Sequence, residues 1–411
     1  MYNETIVIDT FVKGRKNMIS EKMYALGTNP SVIRDLFEYG NKRKAEIGAD
    51  KVFDFSIGNP SVPAPACVKE AALDLLQNGD EVALHGYTSA PGDMGLRKTI
   101  AEYINGQHGT SLSADNLYIT VGAAASLSIS LKALAEEGDE FITFAPFFPE
   151  YRVFVENTGS KLVVADCDRN DFQIDVEAFE KAMTPHTKGV ILNSPNNPSG
   201  VVIKKEVIQA VCGLMEKKQK EYGHPIFLIA DEPYRELVYG DVEVPYLMNY
   251  YDNTIVCYSY SKSLSLPGER IGYIAVSDKA VEWKKIFAAI CGAGRSLGYV
   301  CAPSLFQQVV KRCMGKTSDV SVYKKNRDLL YNALTEYGYR CIKPDGAFYL
   351  FVEALEEDAN AFSEKAKEFE LLLVPADSFG TEGFVRISYC VSTEQIENSL
   401  PAFQALAEAY R

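Results

Sequence analysis

Lys262 stands at the end of the β-prone run Thr254–Tyr260, and it is the first chemical signal in the chain. Val256, Tyr258 and Tyr260 alternate with smaller residues, and Ile271–Val276 is a second apolar run, so both read as interior strands. An ordinary lysine is a solvated surface charge, seldom buried without a partner. An amine at the rim of an apolar sheet is partly desolvated, which lowers its pKa, and the neutral form condenses with a carbonyl to give a Schiff base. Lys262 is therefore a candidate covalent site.

In an open α/β sheet, ligands bind outside the carboxyl ends of the strands, so the residues that end the other runs decide what Lys262 works with. One run ends in Gly122-Ala123-Ala124-Ala125-Ser126, opening a helix. Its free N–H groups favour an anion such as phosphate, although small residues at a helix start also serve plain packing. A second run ends in APFFPEY, with Phe147 and Phe148 at the rim, and a third in NSPNNPSG, with Asn193, Asn196 and Asn197. A fourth ends in ADEPY, where Asp231 follows four apolar residues and is either an ion-pair partner or a ligand to a positive ring nitrogen. Anion seat, aromatic platform, amide, carboxylate and amine match the parts of pyridoxal 5′-phosphate (PLP): phosphate, ring, phenolic oxygen, pyridine nitrogen and aldehyde.

The elements that position these residues follow from periodicity. Strands are expected at Asn116–Val121, Glu140–Phe144, Lys161–Ala165, Gly189–Leu192, Ile226–Ala230, Thr254–Tyr260 and Ile271–Val276. Helices fit between them, including Ala123–Glu137, closed by Gly138, and Lys204–Tyr222. This alternation predicts an α/β fold: a large domain with a mostly parallel, seven-stranded sheet flanked by helices. The short loop before the last strand allows that strand to run antiparallel. After about Val300 come a helical run (Ser318–Tyr337), strands near Ala347–Phe351, Leu371–Val374 and Phe384–Cys390, and a helix opening at Ser392 and containing Pro401. These predict a smaller α+β domain. The expected division is 62–300 for the large domain, 18–61 with 301–411 for the small one, and 1–17 as an N-terminal arm.

Composition excludes several classes. The 411 residues carry 42 basic and 55 acidic side chains, net −13, which argues against nucleic acid or an anionic membrane as partner. Nine scattered cysteines without a CxxC pair or a secretory leader suggest reduced thiols in a cytoplasmic protein. The four histidines lack metal-ligand spacing, and no apolar run approaches the ~20 residues that span a bilayer, so neither a metal nor a membrane segment is expected.

With these motifs in place, the chain from about residue 29 to 411 resembles the fold-type-I PLP-dependent aminotransferases of classes I and II, of the aspartate aminotransferase type. SYSKSLSLPGERIGY is similar to the family's Schiff-base signature. The resemblance implies Lys262 as cofactor lysine, with Ser259, Ser261 and Arg270 on the phosphate. NNPSG and DEPY imply Asn197 and Tyr234 on the phenolic oxygen and Asp231 on the ring nitrogen. Ala123 and Ala124 fall in the phosphate turn, and Phe148 where the ring is stacked, able to stack but not to hydrogen-bond. VRISYC implies that Arg386 grips the substrate carboxylate, opposite the backbone of Gly58. Tyr87 matches a tyrosine that reaches the neighbouring subunit's phosphate, so the resemblance implies a homodimer with shared sites. Arg295, in GAGRSLGY, lies where dicarboxylate-specific relatives carry an arginine from the partner, or is a surface residue.

The implied activity moves an amino group between an L-amino acid and a 2-oxo acid by a ping-pong sequence, aspartate or glutamate being one implied donor type. A carbon–sulfur β-lyase on the same fold is the alternative. GAGRSLG is not a dinucleotide loop, because Leu297 takes the third glycine position and a helical run precedes it. The chain has no basic head of the kind that DNA-binding regulators with this fold carry.

Overall fold

The computed structural model describes residues 19–28 and 31–411, so the expected arm lies outside the described residues. A short strand, β1 (Phe53–Asp54), precedes the main sheet. That sheet contains β2 (Leu117–Thr120), β3 (Glu140–Phe144), β4 (Lys161–Ala165), β5 (Thr187–Asn193), β6 (Phe227–Asp231), β7 (Thr254–Ser259) and β8 (Gly272–Val276). Its order is β2-β8-β7-β6-β5-β3-β4. The pairings from β7 to β4 are parallel, and β8 runs antiparallel to both β7 and β2. The seven expected strands are all present, with ends shifted by a residue or two.

Both faces of this sheet are covered, which is why its strands are apolar throughout. In β7, Val256 and Tyr258 pack on one side and Ile255 and Cys257 on the other. Ile255, Val256 and Ile274 are 0% exposed. Burying each such side chain contributes about 1.5–3 kcal/mol. The helix after β2 spans Ala123–Leu134 and stops short of the expected Glu137. Ala135 is already extended, and the Asp139 carboxylate accepts the Glu136 N–H at 2.8 Å, so residues 136–139 form a turn.

The remaining strands are β9 (Tyr349–Glu353), β10 (Leu371–Leu372), β11 (Val374–Pro375) and β12 (Phe384–Ser388). They form an antiparallel sheet, β11-β12-β9, and a separate parallel pair, β1 with β10. The expected strand Leu371–Val374 is thus split: Leu371 and Leu372 pair with β1, while Val374 pairs with Arg386 of β12. Tyr323, Leu330 and Leu334 of the helix Val320–Tyr337 bury against Phe348 and Phe403 in a second core. The helix Ser304–Arg312, which follows residue 300, packs Val309 and Val310 into the core of the seven-stranded sheet. Ser392 caps the last helix, Thr393–Glu408, through the Gln395 N–H. The Gln395 side chain reaches instead to the Asp54 carbonyl at 3.2 Å, tying β1 to the C-terminal helix.

Candidate active site

The carboxyl ends of β2, β5, β6 and β7 open onto one cavity of about 300 Å³, closed on the far side by Gly58, Tyr349 and Arg386. Every residue to which the family resemblance gives a cofactor or substrate role lines it except Tyr87 and Arg295. Tyr87 is 91% exposed, and Arg295 is exposed near the end of the helix Trp283–Ser296. Phe147 and Asn196 also point elsewhere. Phe147 is a core residue, and Asn196 accepts the Ser199 N–H at 3.0 Å, bracing its own turn.

Lys262 sits in a single helical turn, Tyr260–Ser263, capped by the Ser259 side chain immediately after β7. Its Nζ donates to the Gly58 carbonyl at 2.7 Å. Burial lowers its pKa to about 8, the cationic Arg386 and Arg270 adding to the effect. At pH 7 roughly one amine in ten is then neutral, against about one in several thousand for an ordinary lysine. A Cβ on Gly58 would collide with the Tyr349 hydroxyl, so any larger residue at 58 must displace that side chain.

Asp231 ends β6 and is buried. Its Oδ2 accepts from the Tyr151 hydroxyl at 2.5 Å, while Oδ1 is buried without a partner. Burial raises this carboxyl to about 7, against the lowering hydrogen bond from Tyr151. Asn193 donates to the Asp231 carbonyl at 2.8 Å and accepts the Asn197 N–H at 2.7 Å, which locks the ends of β5 and β6 together. Tyr234 and Tyr349 share a hydroxyl contact of 2.9 Å.

Arg386 projects from β12. Nη1 donates to Asn197 Oδ1 at 3.2 Å and Nη2 to the Ser56 carbonyl at 2.5 Å. Its guanidinium lies 4.8 Å from the Tyr349 ring and 5.1 Å from the Phe379 ring. Nε is buried without a partner, and burial lowers the pKa. A guanidinium among amide, carbonyl and rings offers a forked donor to a carboxylate. At the other end, Gly122 (φ 101°) caps the helix Ala123–Leu134, and a Cβ there would lie 2.7 Å from Arg270 Nη2. The helix N-terminus, Arg270 and the paired Ser259 and Ser261 hydroxyls, 2.7 Å apart, form a positive, donor-rich end.

These residues fit PLP. The buried, unpartnered Asp231 Oδ1 is an acceptor suited to a protonated ring nitrogen, and the donor-rich end at Arg270, Ser259 and Ser261 is suited to a phosphate. Tyr151 and Tyr349 were not singled out from the sequence. The available signal is that a tyrosine in an apolar stretch needs a partner for its hydroxyl, and here the partners are Asp231 and Tyr234.

Comparison with known proteins agrees. A family model for aminotransferase class I and II matches residues 50–403. A protein of Methanocaldococcus jannaschii named probable aspartate aminotransferase is 30% identical over 387 residues, covering 92% of this chain and 97% of that one. Aromatic-amino-acid aminotransferase 2 of Thermococcus litoralis is 29% identical over 387 residues, covering 90% and 94%. The crystal structure of an aminotransferase from Eubacterium rectale superposes with a TM-score of 0.94 at 58% identity, covering 96% of this chain and all of that one. These names do not favour the lyase alternative. With the match running across every strand and across the cavity residues from Ile57 to Arg386, the chain belongs to the class I and II aminotransferases, PLP-dependent enzymes that transfer amino groups.

Proposed function

We propose that Lys262 carries the cofactor and acts as the proton-transferring base of a transamination between an L-amino acid and a 2-oxo acid. The observation that carries this reading is the meeting, in one cavity, of a lysine amine lowered to about pKa 8 and the unpartnered buried Oδ1 of Asp231. When bound, PLP supplies an aldehyde and an electron sink. Ser259, Ser261, Arg270 and the amides of Ala123 and Ala124 hold the phosphate, and Phe148 covers the ring. Asp231 keeps the proton on the ring nitrogen, while Asn197 and Tyr234 donate to the phenolic oxygen. Arg386 grips the substrate carboxylate and sets the Cα–H toward Lys262 Nζ, which moves that proton. Gly58, under Tyr349, brings the backbone close to the substrate.

The same residues serve both halves of a ping-pong cycle. Tyr87, far outside this chain's cavity, is proposed to complete the site of a second copy in a homodimer. Arg295 is proposed to serve a distal carboxylate in the same way. Residues 62–300, with the helix Ser304–Arg312 packed into their core, are proposed as the large domain, and 18–61 with the rest of 301–411 as the small one, the cavity lying where they meet. The nine free cysteines support a reducing, cytoplasmic setting, and among the described residues no helix is long and apolar enough to cross a membrane.

The names of the relatives make aspartate and aromatic amino acids the first donors to test, with glutamate beside them as the other dicarboxylic amino acid. Single-turnover reaction of the PLP-loaded protein with each amino acid, without acceptor, should release the matching 2-oxo acid and leave the amine on the cofactor. Pyruvate and ammonia from cysteine, with no such amine left, would instead indicate a lyase.

A further inference from the structure

A second group of unpartnered buried oxygens lies beneath the lysine turn. Among the described residues, Glu236 Oε2, Ser265 Oγ and Ser318 Oγ are buried without hydrogen-bond partners. All three adjoin the segment that carries Lys262. Ser265 is three residues beyond it, the Ser318 N–H donates to the Ser263 carbonyl at 2.7 Å, and the Tyr258 hydroxyl stands between Ser263 Oγ, 2.8 Å away, and the Glu236 carboxyl. Unexplained buried oxygens of this kind mark a water, an ion or strain.

Here the surroundings favour an ion. Beside Glu236 is a hollow of about 20 Å³, walled by Tyr258, Tyr260, Tyr273 and Ser263 and, across from them, by residues 313–317. That is room for one water or one bare monovalent cation. Tyr258 and Tyr273 stack at 4.8 Å, with Tyr260 5.1 Å from Tyr258, so this wall is a rigid aromatic one. The neighbouring guanidinium makes no hydrogen bond to Glu236 and acts on it only through its charge. Arg235 is held by both oxygens of Glu232 at 2.6 Å and by the carbonyls of Val244 and Pro245 at 3.1 Å. Glu236 Oε2, with the hydroxyl-bearing Ser263 and Thr317 on the same lining, supplies hard oxygens of the kind alkali cations accept.

We propose that this hollow binds a monovalent alkali cation on Glu236 Oε2, and that the ion fastens residues 313–318 to the turn bearing Lys262. The competing states are a protonated Glu236, which needs no ion, and a swing of the exposed Lys316, which borders the hollow.

The test compares the PLP-loaded protein in potassium chloride with the same ionic strength of N-methylglucamine chloride. Thermal unfolding should rise saturably with potassium, by about 1–3 °C, as expected for a weak site on a chain of this size. Glu236→Gln should lose that response and Lys316→Met should keep it. Equal unfolding temperatures in both salts would overturn the proposal, as would an undiminished response in Glu236→Gln or one that emerges only in Lys316→Met. Should Glu236→Gln not fold, crystals of the unaltered protein in rubidium chloride decide the question. An anomalous peak beside Glu236 Oε2 supports the site, and none there overturns it.

Discussion

The Tyr151 hydroxyl donates to Asp231 Oδ2 over 2.5 Å, leaving Oδ1 buried and without a partner on a residue that lines the cavity. Tyr151 thus positions the carboxylate and favours its charged form, against the burial that drives its pKa to about 7. In Tyr151→Phe that carboxyl should titrate higher still. The acid limb of the kcat/KM profile is expected to move to higher pH, with a loss of about tenfold near neutrality, typical of one hydrogen bond to a charged group. An unmoved limb would remove Tyr151 from this role.

Asp231 also makes a prediction for the cofactor-free protein. Its folded pKa is raised from 3.8 to about 7, so between those values the folded state binds more protons than the unfolded one. Stability is then lost as pH rises through that window. Asp231→Asn should unfold at a higher temperature than the unaltered apoprotein, with a gap that grows from about pH 4 to about pH 7 and is level above. Its transamination should be nearly abolished.

Lys262→Ala should bind PLP without a covalent link, so borohydride treatment should leave no pyridoxyl group on the peptide containing residue 262. The rate should fall by at least about 10²–10⁴-fold, the usual range for removing a general base. Exogenous small amines should restore a part of it.

Arg386→Ala should act mainly on substrate affinity. Losing a forked, charge-assisted pair to the carboxylate is expected to raise KM by about 10- to 100-fold, with a smaller fall in kcat. Steady-state kinetics over a range of donors would show it, and an unchanged KM would take Arg386 out of the site.

Gly58→Ala should push against the Tyr349 hydroxyl and disturb the carbonyl that holds Lys262. Removing that hydroxyl should relieve part of the damage. In a double-mutant cycle, Gly58→Ala with Tyr349→Phe is expected to be more active than Gly58→Ala alone, a non-additivity proper to residues in contact.

The legible part of this site was the part carried by strand ends. Lys262, Asp231, Asn197 and the turn at Gly122 each terminate an apolar run, and a parallel sheet puts such ends on one edge whatever its strand order. The order itself, with β3 between β5 and β4, depends on which helices cover which face, and no local pattern encodes it. Tyr151 and Tyr349 escaped for a related reason. Their partners lie 80 and 115 residues away, so only the folded arrangement shows which tyrosine of many reaches Asp231 or Tyr234. Phe147 and Phe148 show the limit at short range. Adjacent at the rim in sequence, one turns into the core and the other into the cavity, a choice made by the Phe147 N–H pairing with the Phe379 carbonyl at 2.9 Å.

The stretch from Lys262 to Arg270 also behaves as a ruler. The turn at Pro267–Glu269 hands over to Arg270 in a left-handed conformation, φ 51°, and Arg270 Nη1 folds back to the Pro267 carbonyl at 2.8 Å. The distance from the amine to the phosphate seat is therefore written in residue count, so that an insertion or deletion of one cannot be absorbed. Engineering that lengthens or trims this interval would uncouple the two ends of the cofactor, whereas an exchange at the exposed Gly268, where an added Cβ meets open space, would keep the gauge.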